Sequence, residues 1–275
     1  MSAPTAESYD LKKGQLFNLL LVTFASTVGF WAWTIVGPLA KYYAKPDQMH
    51  LNPGTTSLLV AMPIFIGAIG RIPVGGLTDK YGGRIMMSLV LAVSTPLVLL
   101  VGVAGSMKSF PLILVFSFLL GIAGTVFAVG IPFSSAWYPP ARKGFATGVF
   151  GAGMVGTALS AFFTPRLMNL VGYMNTHYII AALCAVTAII SFLFLRDSPA
   201  TANREATPLM TKIIRAFKVK STWQLCFLYS VVFGGFVAFS NYLPTYLNNI
   251  YSFNPEDAGA RAAGFTAGAR GPHTL

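Results

Sequence analysis

Charge is scarce in this chain. Only 10% of its 275 residues are Asp, Glu, Lys or Arg, against about 25% in soluble globular proteins. That shortage excludes an ordinary water-soluble fold, which needs far more ionised surface. Acid is scarcer still. There are eight Asp and Glu, and none of them lies deep within an apolar stretch. Cys184 and Cys226 are the two cysteines. They stand far apart in apolar stretches, without metal-ligand spacing, and read as small buried hydrophobes. His50, His177 and His273 lie at loops or run edges and form no cluster with carboxylates. No G-x-S-x-G, H-E-x-x-H or Walker sequence is present. With neither a nucleophile–base pair nor a ligand set, no enzyme activity, metal or cofactor is expected.

Hydrocarbon is what the chain has in abundance: 55% of its residues are hydrophobic. Apolar runs fall near 16–37, 56–77, 85–105, 110–135, 145–170, 177–195 and 223–247. Each is long enough to cross about 30 Å of hydrocarbon as a helix. The expected fold class is an all-α membrane protein of seven spans, with the start of an eighth near 259–269. The first run is too long for a cleaved signal peptide, and no small-residue cleavage site precedes a soluble domain.

The net charge of +11 does not point to nucleic acid, because the cations sit between spans. Their partner is the lipid bilayer. Lys12, Lys13, Lys80, Arg84, Arg142, Lys143, Arg196, Arg204, Lys212, Arg215, Lys218 and Lys220 all fall on one side of the expected topology. Only Lys41, Lys45, Lys108 and Arg166 fall on or near the other. The excess of Lys and Arg marks the cytoplasmic side. The chain is therefore expected in the cell membrane, multi-pass, with a cytoplasmic N-terminus.

Arg71 breaks the pattern. It interrupts the second apolar run, after Ile69-Gly70 and before Ile72-Pro73-Val74. A guanidinium in hydrocarbon costs about 2.5–3.5 kcal/mol even on the lenient insertion scale, and it stays charged. It is expected to face the bundle interior and to meet an anion or a fixed counter-charge. Its rigid fork can donate two parallel hydrogen bonds to two coplanar oxygens.

Two further patterns are present. The turn after the second run reads Gly75-Gly76-Leu77-Thr78-Asp79-Lys80-Tyr81-Gly82-Gly83-Arg84. Glycine there permits a sharp turn. Asp79 is placed to accept hydrogen bonds at the next helix's N-terminus and to pair with Arg84. The G-x-x-x-D-[RK]-x-G-x-R spacing of Gly75, Asp79, Lys80, Gly82 and Arg84 resembles the loop 2–3 motif of the major facilitator superfamily. Farther on, Tyr138-Pro139-Pro140 precedes a fifth run containing Gly148, Gly151, Gly153 and Gly156. Small residues there let a helix, or a small ligand, approach the backbone.

Together, Arg71, Phe127, the Tyr-Pro-Pro turn and the glycine-rich fifth run resemble the nitrate/nitrite porter family of that superfamily. The resemblance extends from about Phe30 to about Phe265. It implies a transporter of nitrate and nitrite that works by alternating access. It also implies an N-terminal six-helix half over 1–195, a cytoplasmic inter-half loop over 196–221 and the start of a second half over 222–275. By position, Arg71, Phe127, Tyr229 and Phe233 match the family's substrate pocket, with Gly151, Gly153 and Gly156 beside it. Met154 departs from the family, where many members carry Asn, and Met cannot donate an amide hydrogen bond to an anion. The absence of intramembrane acid favours anion exchange over proton symport. After Asp257 the sequence starts an eighth helix and then leaves the family pattern, and Arg270 is a poor match for the pocket's second arginine. On that pattern a truncated chain, inactive alone, is expected. A transporter of another small anion, such as a short carboxylate, and a non-transporting membrane fragment are the alternatives.

Overall fold

A computed structural model describes residues 6–199 and 209–268. Among the described residues there are helices and turns and no strand. Six helical stretches are long and apolar enough to cross a membrane, and a bent pair supplies a seventh. Seven is the number expected from the sequence, in the expected places.

Span I is α1 (Ala6–Trp33) followed by α2 (Val36–Ala44). Span II is α3 (Pro53–Ile69) and α4 (Arg71–Tyr81), bent by 40° between them. Asn52 starts α3, its side-chain oxygen accepting from the Thr55 amide at 2.8 Å, as an N-cap should. The bend at Gly70 has a local cause. Pro73 lacks the N–H that would bond the Ile69 carbonyl, so the hydrogen-bond ladder is already broken there.

Span III is α5 (Gly83–Ser106). Span IV is α6 (Phe110–Leu120) and α7 (Val126–Ala136), joined by a 3₁₀ stretch, Gly121–Thr125. Span V is α8 (Lys143–Gly151) and α9 (Val155–Val171), joined by a 3₁₀ turn, Ala152–Met154. Span VI is α10 (Tyr173–Phe194). A short helix, α11 (Leu209–Phe217), precedes span VII, which is α12 (Lys220–Tyr251); α13 (Pro255–Gly268) follows.

Spans I–III and IV–VI echo each other. The first and second members of each trio are interrupted, and the third is not. Span II turns into III through Gly82 at φ +86°, and V turns into VI through Gly172 at φ +90°, a region open mainly to glycine. Spans III and VI pack against each other, with the His177 ring over Gly102, where a Cβ would come within 2.8 Å. This is the arrangement expected of two internal repeats.

On the side of the basic loops, the segment after span VI ties the helix ends together. The Arg196 amide donates to the buried Asn18 side chain at 2.8 Å. The Gly83 and Arg84 amides donate to Asp197 Oδ1 at 2.7 and 3.2 Å. Ser198 Oγ donates to the Ala136 carbonyl at 2.8 Å. The cap of span III expected of Asp79 is thus held by Asp197. Residues 196–198 belong structurally to the six-helix bundle, and the stretch that follows them includes α11.

His177, one turn inside the start of span VI, is fully buried, with Nδ1 against the Tyr173 carbonyl at 3.0 Å. One other expectation is corrected. Cys184 is buried as expected, but Cys226 on α12 is exposed.

Span VII meets the bundle toward the side opposite the basic loops and, midway, through Phe233 against Arg71 and Phe127. Toward the side opposite the basic loops, Tyr242 Oη donates to the Ser57 carbonyl at 3.0 Å, and Asn241 lies against Gly37. There α13 packs on α9, with Asn169 Nδ2 donating to Glu256 Oε1 at 2.7 Å. Toward the basic side Leu225, Phe227 and Leu228 are all exposed.

Candidate functional site

Arg71 is the first residue of α4, so the bend of span II delivers its side chain at a broken helix end. The guanidinium carbon lies 5.2 Å from the Phe127 ring centroid and 4.7 Å from that of Phe233. Both are cation–π distances. The two rings are 5.7 Å apart, and Tyr229 stacks on Phe233 at 4.9 Å with planes 9° apart. Arg71 Nε is buried without a hydrogen-bond partner. A donor buried without an acceptor costs about 1–3 kcal/mol, more when charged. An acceptor supplied from outside the chain would recover that cost.

A cavity of about 590 Å³ adjoins this cluster, between spans I, II and VII. Trp33, Met62, Phe65, Arg71, Tyr229 and Phe233 are among its walls. The walls are mainly apolar, and the guanidinium is their one formal charge. In such surroundings the interaction of Arg71 with an anion is less screened than at a surface. The arrangement can hold one small anion, with aromatic faces excluding water beside it.

Each residue expected at the site has a definite place. Arg71, Phe127, Phe233 and Tyr229, drawn from spans II, IV and VII, come together. Gly153 and Gly156 stand against span I instead: a Cβ at Gly153 would meet the Thr23 carbonyl at 2.9 Å, and one at Gly156 would collide with the Thr27 carbonyl. Gly151 has open space where its side chain would be. Met154 is half-buried, and its carbonyl accepts from Thr157 Oγ1 at 2.8 Å.

The loop motif lies at the other end of span II. Gly75 has open space at its missing Cβ. Lys80 rests over the Tyr81 ring at 5.1 Å. Arg84 Nε donates to the Phe192 carbonyl at 2.8 Å. Asp79 and Gly82 border a pocket of about 280 Å³ with Asp197 and Ser198.

Sequence reasoning missed Trp33. Its Nε1 donates to the Pro63 carbonyl at 2.8 Å, and its ring fills the space left by Gly67 and Gly124. It therefore fixes span II against span IV close to both Arg71 and Phe127. The aromatic run Phe30-Trp31-Ala32-Trp33 was the available signal, but periodicity does not tell which ring points inward. Among the described residues no three His, Cys, Asp or Glu come together as a metal site.

The family model of the Major Facilitator Superfamily matches residues 21–271. A probable nitrate/nitrite transporter, NarK2, of Mycobacterium tuberculosis is 53% identical over 257 residues, 94% of this chain and 64% of that protein. A nitrite extrusion protein of Bacillus subtilis is 33% identical, over 92% of this chain and 62% of its own length. A probable nitrate transporter, NarT, of Staphylococcus epidermidis is 31% identical, over 94% of this chain and 64% of that protein. The chain thus spans a little under two thirds of these relatives. A solved structure of a bacterial homologue of the human lysosomal transporter Spinster superposes with a TM-score of 0.69 at 20% identity, over 92% of this chain and 60% of that one. At that identity the likeness concerns the fold alone.

Proposed function

This chain belongs to the Major Facilitator Superfamily, and from that premise we propose that it forms the anion-binding N-terminal part of a nitrate/nitrite transporter working by alternating access. The observation that carries the proposal is the Arg71 guanidinium packed against the adjoining rings of Phe127 and Phe233, with Nε buried and unpartnered. Nitrate and nitrite each offer two coplanar oxygens to such a fork. The names of the similar proteins from Mycobacterium, Bacillus and Staphylococcus support the same substrate class.

The proposed setting is the cell membrane, with the N-terminus and the basic loops in the cytoplasm. The proposed mode is exchange of nitrate for nitrite. No carboxylate among the described residues lies deep within a span: Glu7, Asp10 and Asp79 stand near the basic-side helix ends. His177 is the intramembrane titratable group closest to a proton-relay candidate, and its Nδ1 is engaged by the Tyr173 carbonyl. Transport of anions, without catalysis, is the proposed activity.

Nitrate binding to the reconstituted chain tests the reading, with Arg71→Lys as the decisive variant. Lys keeps the charge and loses the fork. A charge-assisted hydrogen bond contributes about 1.5–3 kcal/mol, so nitrate affinity is expected to fall by about tenfold or more. Unchanged affinity in Arg71→Lys would reject the role. Stronger competition by formate or acetate than by nitrite would move the proposal to short carboxylates.

A further inference from the structure

The helix α11 has no role in the anion site, yet its pattern is the most two-sided among the described helices. Met210, Ile213, Ile214 and Phe217 recur at i, i+3, i+4 and i+7, which places them on one face of a helix. Lys212 and Arg215 fall on the opposite face by the same geometry, and Lys218 follows in the turn. The apolar face is not covered by the bundle: Met210 is 67% exposed, Ile214 49% and Phe217 56%.

The corner after α11 extends this face. The Lys218 amide donates to the Ile214 carbonyl, and the chain then turns into α12. Across the corner Trp223 Nε1 donates to the Phe217 carbonyl at 3.1 Å, and the two rings lie 5.3 Å apart. Trp223 is itself 59% exposed. An apolar wedge with tryptophan at the mouth of a membrane span suits the interface, where indole is favoured.

Charge selects the occupant. From residue 206 to residue 254 the sequence contains no Asp or Glu, while Lys212, Arg215, Lys218 and Lys220 cluster within nine positions. Span VII begins at Lys220, so α11 is held by connectivity at the level of the headgroups. We infer that α11 is an interfacial helix that lies on the bilayer with Met210, Ile214 and Phe217 inserted, and that its cations dock on anionic phospholipid headgroups. Basic amphipathic helices bind membranes through this pairing of apolar burial with headgroup attraction. The surface so formed anchors the basic-side end of span VII, which the six-helix bundle leaves uncovered.

The inference does not depend on the transported anion. Its test uses the whole chain with Cys184→Ala, Cys226→Ser and Ile214→Cys, the new thiol carrying an environment-sensitive fluorophore. The protein is reconstituted in vesicles of phosphatidylcholine, alone or mixed with phosphatidylglycerol, with a brominated lipid as quencher. The expected result is a blue shift and bromolipid quenching in the anionic vesicles. High salt, or the triple change Lys212→Gln, Arg215→Gln and Lys218→Gln, should remove most of both. Three results would overturn it: a label in water in both vesicle types, equal insertion in neutral vesicles without salt dependence, or a blue-shifted label that bromolipid does not quench. The last would mean that a protein surface covers the helix.

Discussion

Single residues hold the chemistry in this fold, and the sequence disclosed them unevenly. Arg71 was legible because a guanidinium within hydrocarbon demands an explanation. Its aromatic neighbours on spans IV and VII were legible only through family resemblance, since nothing in the pattern of one span says what faces it across the bundle. Asp197 was missed: the acid in the loop motif, Asp79, is nearer in sequence to the start of span III, and only the folded chain shows which carboxylate arrives there. Asp197 Oδ1 takes both the Gly83 and Arg84 amides, so Asp197→Ala removes an N-cap. That change is expected to cost about 0.5–2 kcal/mol, read as a lower midpoint of thermal unfolding in detergent, whereas Asp197→Asn should retain much of the stability. Gly82→Ala should cost more. It forces alanine to φ +86°, ψ +157° and puts a Cβ within 2.5 Å of the Asp197 carboxylate, and that backbone region, open essentially to glycine, costs about 1–3 kcal/mol in a residue with a side chain.

Helices were legible as spans but not as broken spans. Continuous apolar runs report length, and all seven runs became membrane-length helical stretches. The interruptions at Thr34–Ile35, Gly70, Gly121–Thr125 and Ala152–Met154 are invisible to hydropathy, because glycine and small residues keep a run apolar while loosening its hydrogen bonding. These breaks matter to the site: Arg71 and Phe127 both lie just past one. The glycines of span V are a related case. Their smallness was legible and their partner was not. Gly156 admits the Thr27 carbonyl of span I, so its role in the structure is close packing of two helices. Gly156→Leu is expected to push spans I and V apart and destabilise by about 1–3 kcal/mol or more through overpacking. Gly148→Ala, at a position with open space, should leave unfolding unchanged. Equal midpoints for the two variants would show that the close contact does not hold spans I and V together.

At the scale of the whole molecule, the bundle of spans I–VI is well packed and span VII is not. Val22, Phe30, Leu91, Leu120, Phe150 and Ile180 are each wholly buried in the core, while the basic-side half of α12 carries Leu225, Phe227, Leu228 and Val232 on the outside. Tyr229, at the anion cluster, is itself 46% exposed. An anion at Arg71 would thus be bound from one side, by one guanidinium partly open to its surroundings, and a partly solvated ion pair is weak. Alternating access needs two bodies that rock about a site held between them, and the described helices supply one complete body. The expectation for these 275 residues on their own is therefore weak nitrate binding without transport. Proteoliposomes holding only this polypeptide should show no saturable nitrate uptake or nitrite exchange above empty vesicles. The same vesicles should still lose nitrate binding on Arg71→Lys, which separates an intact half-site from a misfolded chain. Saturable flux that nitrite competes away would overturn the expectation, and would require a second copy of the chain to complete the pocket around Arg71.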